Sequence, residues 1–316
     1  MISIAILDDF QNAARSMAPW ERLQGRASLT VFNDHVTGEA LVQRLQPFDV
    51  VMLIRERTPM PRPLLERLPR LRLLVTAGRR NRAIDLPACK DRGVLVCGTE
   101  ATGHSTVELT WGLILALARR IPAEDGALRV GRWQTSLGFG LRGKTLGVLG
   151  LGRLGAEVAR IGLAFGMQVI AWSQNLTPEH AAGVGARWVD KETLFEVSDV
   201  LTIHLVLSER TRGLVGPAEL AHMKPTAVLV NTSRGGIVDT DALISALQRG
   251  TIAGAGLDVY DIEPLPADAP ILKAPNTVLT PHLGYVTDDS YRIYFGQALE
   301  DIEAWLNGAP IRVIDT

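Results

Sequence analysis

Short apolar runs alternate with amphipathic stretches from the first residues onward. Residues 2–7, 29–32, 50–54, 71–75 and 93–97 are short β-branched or leucine-rich runs, the pattern of strands. Between them, residues 38–45, 62–68 and 86–92 carry apolar positions at helical spacing. Such alternation predicts a parallel sheet with helices on both faces, so the first ~100 residues are expected to form one doubly wound unit. A long apolar helix is expected over residues 105–120, with Thr102 or Ser105 as its cap. A second alternation follows, with strands at 144–149, 168–172, 200–204, 227–231, 254–259 and 277–280. Helices at 154–165, 191–197, 217–222 and 239–248 separate them. This predicts a second open sheet of about six strands, the size of a dinucleotide-binding domain. Residues 288–306 read as an amphipathic helix, with Tyr291, Ile293, Tyr294, Ala298, Ile302 and Trp305 among its apolar positions. No low-complexity segment or short-period repeat interrupts the pattern.

Composition narrows the class. A chain of 316 residues is comfortable for two domains, and 47% hydrophobic with 21% charged residues suits a soluble globular protein with a large core. The net charge of -1 leaves no basic surplus for a phosphate backbone. The densest basic knot, Arg79, Arg80 and Arg82, is too short for that purpose, so no nucleic-acid partner is expected. The N-terminus lacks the basic start and long apolar core of a signal peptide, and no apolar run is long enough to cross a bilayer. Cys89 and Cys97 lack metal-type spacing and further partners. A cytoplasmic protein with two reduced core thiols and no metal site is the expectation.

The first chemical signal is a glycine pattern. Gly150, Gly152 and Gly155 stand directly after an apolar strand and before a helix, with Arg153 and Leu154 opening that helix. Gly150 permits the tight turn, Gly152 lets the backbone approach a pyrophosphate, and Gly155 allows close helix–strand packing. Free amides and the positive helix end then hold phosphates, which points to NAD or NADP. The next strand should end in an acid for the adenosine ribose, but its tip is Ser173-Gln174-Asn175. With no carboxylate to repel a 2′-phosphate, tolerance of NADP or a preference for it is expected, and NAD remains open.

Three later segments supply chemistry at strand ends: residues 231–239, 256–266 and 280–284. Reducing a keto acid needs a cation for the carboxylate and carbonyl, an acid for the new alkoxide, and a group that sets that acid's pKa. Each segment offers one. The order of glycine fingerprint, Asn-x-x-Arg-Gly-x-x-Val-Asp, Leu-Asp-Val-x-x-x-Glu-Pro-Leu-Pro and Thr-Pro-His-x-Gly resembles the D-isomer-specific 2-hydroxyacid dehydrogenase family, from about Val50 to the final helix.

The resemblance implies an α/β fold of two Rossmann-like, doubly wound parallel-sheet domains with the active site in the cleft between them. Residues 1–99 with 285–316 would form the flavodoxin-like substrate domain, and 100–284 an inserted dinucleotide-binding domain. The implied reaction moves a hydride between NAD or NADP and C2 of a small 2-keto/D-2-hydroxy acid, of glyoxylate/hydroxypyruvate or 3-phosphoglycerate type. Carried over, Arg234 matches the substrate-orienting arginine, His282 the acid–base histidine and Glu263 its carboxylate partner. Asp258 matches the aspartate near the nicotinamide amide, with Thr232 and Ser233 in the stretch beside that ring and Thr106 facing the cofactor. His204 has two readings, cofactor contact or packing.

The substrate side departs from the pattern. Residues 76–85 align with a glycine-rich loop whose amides usually bind the carboxylate, and Gly78 fits. Arg80 falls at the usual second glycine, Arg82 at the usual aspartate, and Val206 where a proline is usual. Arg55, on a neighbouring strand end, is a substrate-contact candidate. Arg79 and Arg80 either bind a second substrate anion or are solvated arginines on a loop rim. The pattern around His282 differs from that of the formate dehydrogenase relatives, and no regulatory C-terminal domain is expected. The resemblance also implies a homodimer through the cofactor domain, using residues 107–118 and 131–139. A function of a different class shares the fold, a dinucleotide-sensing corepressor-like protein with little turnover. The complete Arg–Glu–His set favours the enzyme.

Overall fold

The computed structural model describes residues 1–314, which fold as two compact units. One comprises Met1–Thr102 and the chain from Val286 onward; the other is Gly103–Tyr285. Among the described residues, no helix is long and apolar enough to cross a membrane.

The first unit holds five parallel strands: β1 (Ile2–Ile6), β2 (Ala27–Val31), β3 (Val50–Leu53), β4 (Leu73–Thr76) and β5 (Leu95–Gly98). Their order is β2-β1-β3-β4-β5. β3 and β4 are buried on both faces, which is why they read as continuous apolar runs rather than alternating ones. The expected helix over 38–45 is found there, and the other two end earlier, as Arg62–Leu65 and Leu86–Asp91. β2 begins two residues before its apolar run, because Ile2 pairs with Ala27 and the sheet, not hydropathy, sets its start. The final helix, Asp288–Leu306, buries Tyr291, Tyr294, Phe295, Ala298 and Ile302 in this unit, and Val313 bridges Cys97 at the β5 edge. Both cysteines are buried thiols, pushed up to about 11 at Cys89 and about 12 at Cys97 mainly by burial. Such thiols carry little thiolate and are poor nucleophiles.

The second unit holds β6 (Thr145–Leu149), β7 (Gln168–Trp172), β8 (Arg187–Trp188), β9 (Val200–Ile203), β10 (Val228–Asn231), β11 (Gly254–Leu257) and β12 (Thr277–Leu279). The order is β12-β11-β10-β9-β6-β7-β8, seven strands where the sequence predicts about six. The extra strand, β8, is two exposed residues on the sheet edge, too short to show an apolar run or an alternation. Helices Ile121–Arg129 and Pro178–Val184 are likewise absent from the sequence reading. The long helix runs His104–Ala118, and its N-cap is Gly103 at φ +78 rather than Thr102 or Ser105. Only a left-handed turn brings the chain into that helix, and a Cβ on Gly103 would lie 2.7 Å from the Arg153 guanidinium. The sheet order reverses between β6 and β9, and ligands of such sheets bind beyond the carboxyl ends at that point.

Candidate active site

The glycine pattern folds as its chemistry requires. Gly150 leaves β6 at φ +102, and a Cβ there would lie 2.9 Å from the carbonyl of His204. A Cβ on Gly155 would lie 2.1 Å from the Gly150 oxygen, so the helix Arg153–Ala164 packs directly against the turn. Gly152 differs: nothing lies within 4 Å of the point its Cβ would occupy. It is the N-cap of a helix with no side-chain cap, and the amides of such a first turn are the donor set a pyrophosphate needs. His180, which no sequence motif singles out, reaches the Leu151 carbonyl with Nε2 at 3.2 Å. At the end of β7, Ser173 is half-buried and its carbonyl accepts the Leu176 amide at 3.0 Å. His204 donates its amide to Leu149 and holds Thr202 Oγ1 at 2.9 Å with Nε2. Burial pushes it down to about 4, so it stands neutral beside the glycine turn.

The chain ends of β10, β11 and β12 bring the predicted chemical groups together. Glu263 Oε2 lies 2.5 Å from His282 Nδ1. His282 sits at φ +54, a left-handed conformation, with its amide donated to Thr280 at 3.0 Å. The Tyr285 ring meets the imidazole edge-on, centroids 5.4 Å apart. Glu263 Oε1 accepts the Tyr260 amide at 2.9 Å. Burial pushes the Glu263 carboxyl up, but His282, the Tyr260 amide and the Arg234 guanidinium together hold it below the ordinary carboxylate range. Arg234 extends from the end of β10 at φ -149, donates Nη1 to the Ser233 carbonyl at 2.7 Å, and accepts Asn231 Nδ2 on its own carbonyl at 2.9 Å. An ionised carboxylate on one imidazole nitrogen favours a proton on the other, which is what an acid–base catalyst needs.

Asp258 is fully buried behind this pair. Its Oδ1 accepts the Thr280 hydroxyl at 2.6 Å and the Leu283 amide at 2.7 Å, and Oδ2 accepts the Gly284 amide at 2.9 Å. Burial pushes its carboxyl up, against the pull of those donors and of His282. Asp258 thus holds the loop that carries His282. Thr106 donates its hydroxyl to the Gly284 carbonyl at 2.8 Å. Thr110, also unremarked in the sequence, donates to the Thr106 carbonyl and meets Thr232 Oγ1 at 2.8 Å. Ser233 Oγ donates to the Leu205 carbonyl.

The substrate-side candidates lie in the first unit. Arg55 sits at φ +56 beyond β3 and donates Nη1 to the Ala77 carbonyl at 3.0 Å. Gly78 is at φ +93 with that guanidinium over it, and its amide is directed at Thr99 Oγ1, 2.9 Å away. Arg79 pairs with Glu100 at 2.8 Å, both half exposed. Arg79, Arg80 and Arg82 rim a surface depression of about 340 Å3. Asn81 ties the loop down by donating to the Arg55 carbonyl at 2.7 Å and to Thr76 Oγ1 at 2.9 Å. Nothing in the local pattern distinguishes such an asparagine from a turn residue.

The model of the D-isomer specific 2-hydroxyacid dehydrogenase, NAD binding domain, matches residues 111–284. A glyoxylate reductase of Thermococcus litoralis is 39% identical over 261 residues, 79% of this chain and 78% of its own length. The crystal structure of a phosphoglycerate oxidoreductase from Vibrio cholerae superposes with a TM-score of 0.93 at 41% identity, covering 98% of this chain and 100% of that one. A D-lactate dehydrogenase from Aquifex aeolicus, complexed with NAD and lactic acid, gives a TM-score of 0.78 at 28% identity over 97% of this chain and 96% of its own.

Proposed function

The chain belongs to the D-isomer specific 2-hydroxyacid dehydrogenase family, and on that premise we propose that Arg234, Glu263 and His282 carry its reaction. It is an oxidoreductase that interconverts small 2-keto acids and D-2-hydroxy acids, with NAD(H) supplying or taking the hydride when bound. Arg234 orients the substrate carboxylate and polarises the neighbouring carbonyl through paired guanidinium donors. His282 gives a proton to the nascent alkoxide in reduction and takes it back in oxidation. Glu263 holds the imidazole in place and favours its charged form. The 2.5 Å contact between Glu263 and His282, with Arg234 acting on the same carboxylate, is the observation that carries this reading.

The unit Gly103–Tyr285 holds the dinucleotide, and the other unit the acid substrate. Gly150, Gly152, Arg153, Leu154 and Gly155 take the pyrophosphate, and Thr106, Thr232, Ser233 and Asp258 flank the nicotinamide end. His204 packs there as a neutral ring. Ser173, standing where an acid would repel a 2′-phosphate, allows NADP as well as NAD. Arg55, Arg79 and Arg80 face the substrate, and Gly78, whose amide goes to Thr99, shapes the loop beneath Arg55. Glyoxylate and hydroxypyruvate come first as substrates and 3-phosphoglycerate next, the last if Arg79 or Arg80 takes its phosphate. The chain works as a cytoplasmic homodimer. The contact uses the helix His104–Ala118, whose Leu109, Leu115 and Leu117 stay partly exposed, and the arm, where Trp133 is 77% and Leu137 95% exposed.

Loss of NADH or NADPH absorbance with glyoxylate, hydroxypyruvate and pyruvate tests the reading. Turnover with at least one acid is expected. Tight dinucleotide binding without turnover would favour the corepressor-like alternative, and a large NADH advantage would remove the NADP reading. Unchanged kcat/KM for every accepted acid in Arg80→Ala would end the second-anion role.

A further inference from the structure

We propose that Tyr260 is a positioning residue that ties the segments carrying Arg234, Glu263 and His282 into one working group. The inference rests on the role assigned above to His282. Tyr260 follows β11 by three residues, and its ring folds back over the strand end. There the ladder between β11 and β12 stops at the pair Leu257–Leu279. The Tyr260 hydroxyl spans that end, lying 3.0 Å from the Thr280 carbonyl and 3.2 Å from the Leu257 carbonyl. Each of these oxygens already accepts one amide, Thr280 from His282 and Leu257 from Thr280. The phenol proton, shared between them, therefore completes the hydrogen bonding on both sides of the turn into His282.

The same residue reaches the other two groups. Its amide donates to Glu263 Oε1 at 2.9 Å, which leaves Oε2 aimed at His282. Its carbonyl carbon is so close to Gly235 that a Cβ there would lie 2.1 Å away, so the backbone just after Arg234 rests on the Tyr260 peptide. Through its hydroxyl, its amide and its carbonyl, Tyr260 thus touches the segments of all three groups. Burial, with the carboxylates of Asp258 and Glu263, pushes the phenol up, so it stays a donor at any working pH.

A left-handed non-glycine residue such as His282 holds that conformation only where its surroundings impose it. Removing the hydroxyl leaves the Thr280 carbonyl with one donor and lets the histidine turn drift from Glu263. The charged groups bearing on the imidazole in this unit are Glu263 and Asp258, with Arg234 acting through Glu263. Loosening the Glu263 contact weakens the main attraction for the imidazolium and leaves the ring less firmly aimed.

The test is Tyr260→Phe in the full-length protein, which keeps the ring and the amide and removes only the hydroxyl. The kcat of keto-acid reduction should fall about threefold to tenfold, while substrate KM and NADH Kd stay within about twofold. The midpoint of the alkaline fall in kcat should move down by about half a pH unit. In a Glu263→Gln background the same change should move that midpoint no further, because the carboxylate it serves is gone. The His282 ring pKa followed by NMR should shift in the same direction, a readout that needs no turnover. An unmoved midpoint and an unmoved ring pKa would overturn the inference, even if Tm and kcat both drop. A wild-type protein without turnover would instead defeat the enzymatic reading, and the NMR shift would still decide the role of Tyr260.

Discussion

A Cβ on Gly155 would stand 2.1 Å from the carbonyl oxygen of Gly150, whereas one on Gly152 would meet nothing within 4 Å. Two glycines three residues apart therefore differ: the protein itself excludes a side chain at Gly155 and leaves room for one at Gly152.

The contrast makes a paired prediction. Gly155→Ala overpacks the turn and should destabilise by about 1–3 kcal/mol, read as a lower Tm in the absence of dinucleotide. Gly152→Ala should leave that Tm unchanged and raise the NADH Kd at least about tenfold, because its methyl occupies the pyrophosphate approach. Equal Tm losses in both variants would show that Gly152 is structural.

Glu263→Gln keeps the shape of the side chain and removes its charge. The kcat of keto-acid reduction should fall about 100-fold or more, with the alkaline limb displaced to lower pH. Stability should respond as well. The folded carboxyl is held below its ordinary range, so its contribution is present above the unfolded value of about 4.3 and lost as pH falls through the folded one. Thermal melts from pH 7 down to pH 3 should therefore show wild type losing its advantage over Glu263→Gln at the acid end. A constant difference across that range would contradict the assignment.

Asp301 behaves in the opposite sense. It is fully buried in the first unit with one oxygen on Arg312 Nε at 2.8 Å, and burial pushes it up to about 6. Its proton is bound more tightly in the folded state, so its contribution is fully present below the unfolded value of about 3.9 and lost as pH rises through about 6. Asp301→Asn should flatten that dependence. Relative to wild type, the variant should gain Tm between pH 4 and pH 7, and parallel curves would show that Arg312 neutralises the charge completely.

Much of this architecture was readable from residue patterns. Runs such as Val50–Ile54 and Ala227–Val230 read as strands because they are short, apolar throughout and closed by polar residues, the pattern of strands buried on both faces of a covered parallel sheet. Gly150, Gly152 and Gly155 announce their turn because a covalent restriction, the missing Cβ, is itself a property of the sequence. The helices Lys191–Val197, Pro217–His222 and Asp288–Leu306 fall where their spacing predicts.

Other features have no local signature. The two-residue strand β8 exists because β7 offers it an edge, and β2 starts at Ala27 because Ile2 lies opposite. Asp258 looks like any strand-end acid until Thr280, Leu283 and Gly284, more than 20 residues away, donate to it. Gly78 reads as a free amide until Thr99 proves to take it.

By itself, the order of residues determined periodicity, the glycine turn and the identity of the groups able to do chemistry, since each depends on neighbours along the chain. Only the tertiary structure decided which donor meets which acceptor, as with Tyr260 between Glu263 and Thr280. Hydrogen bonds act over about 3 Å, and which atoms come that close is settled by how distant segments pack.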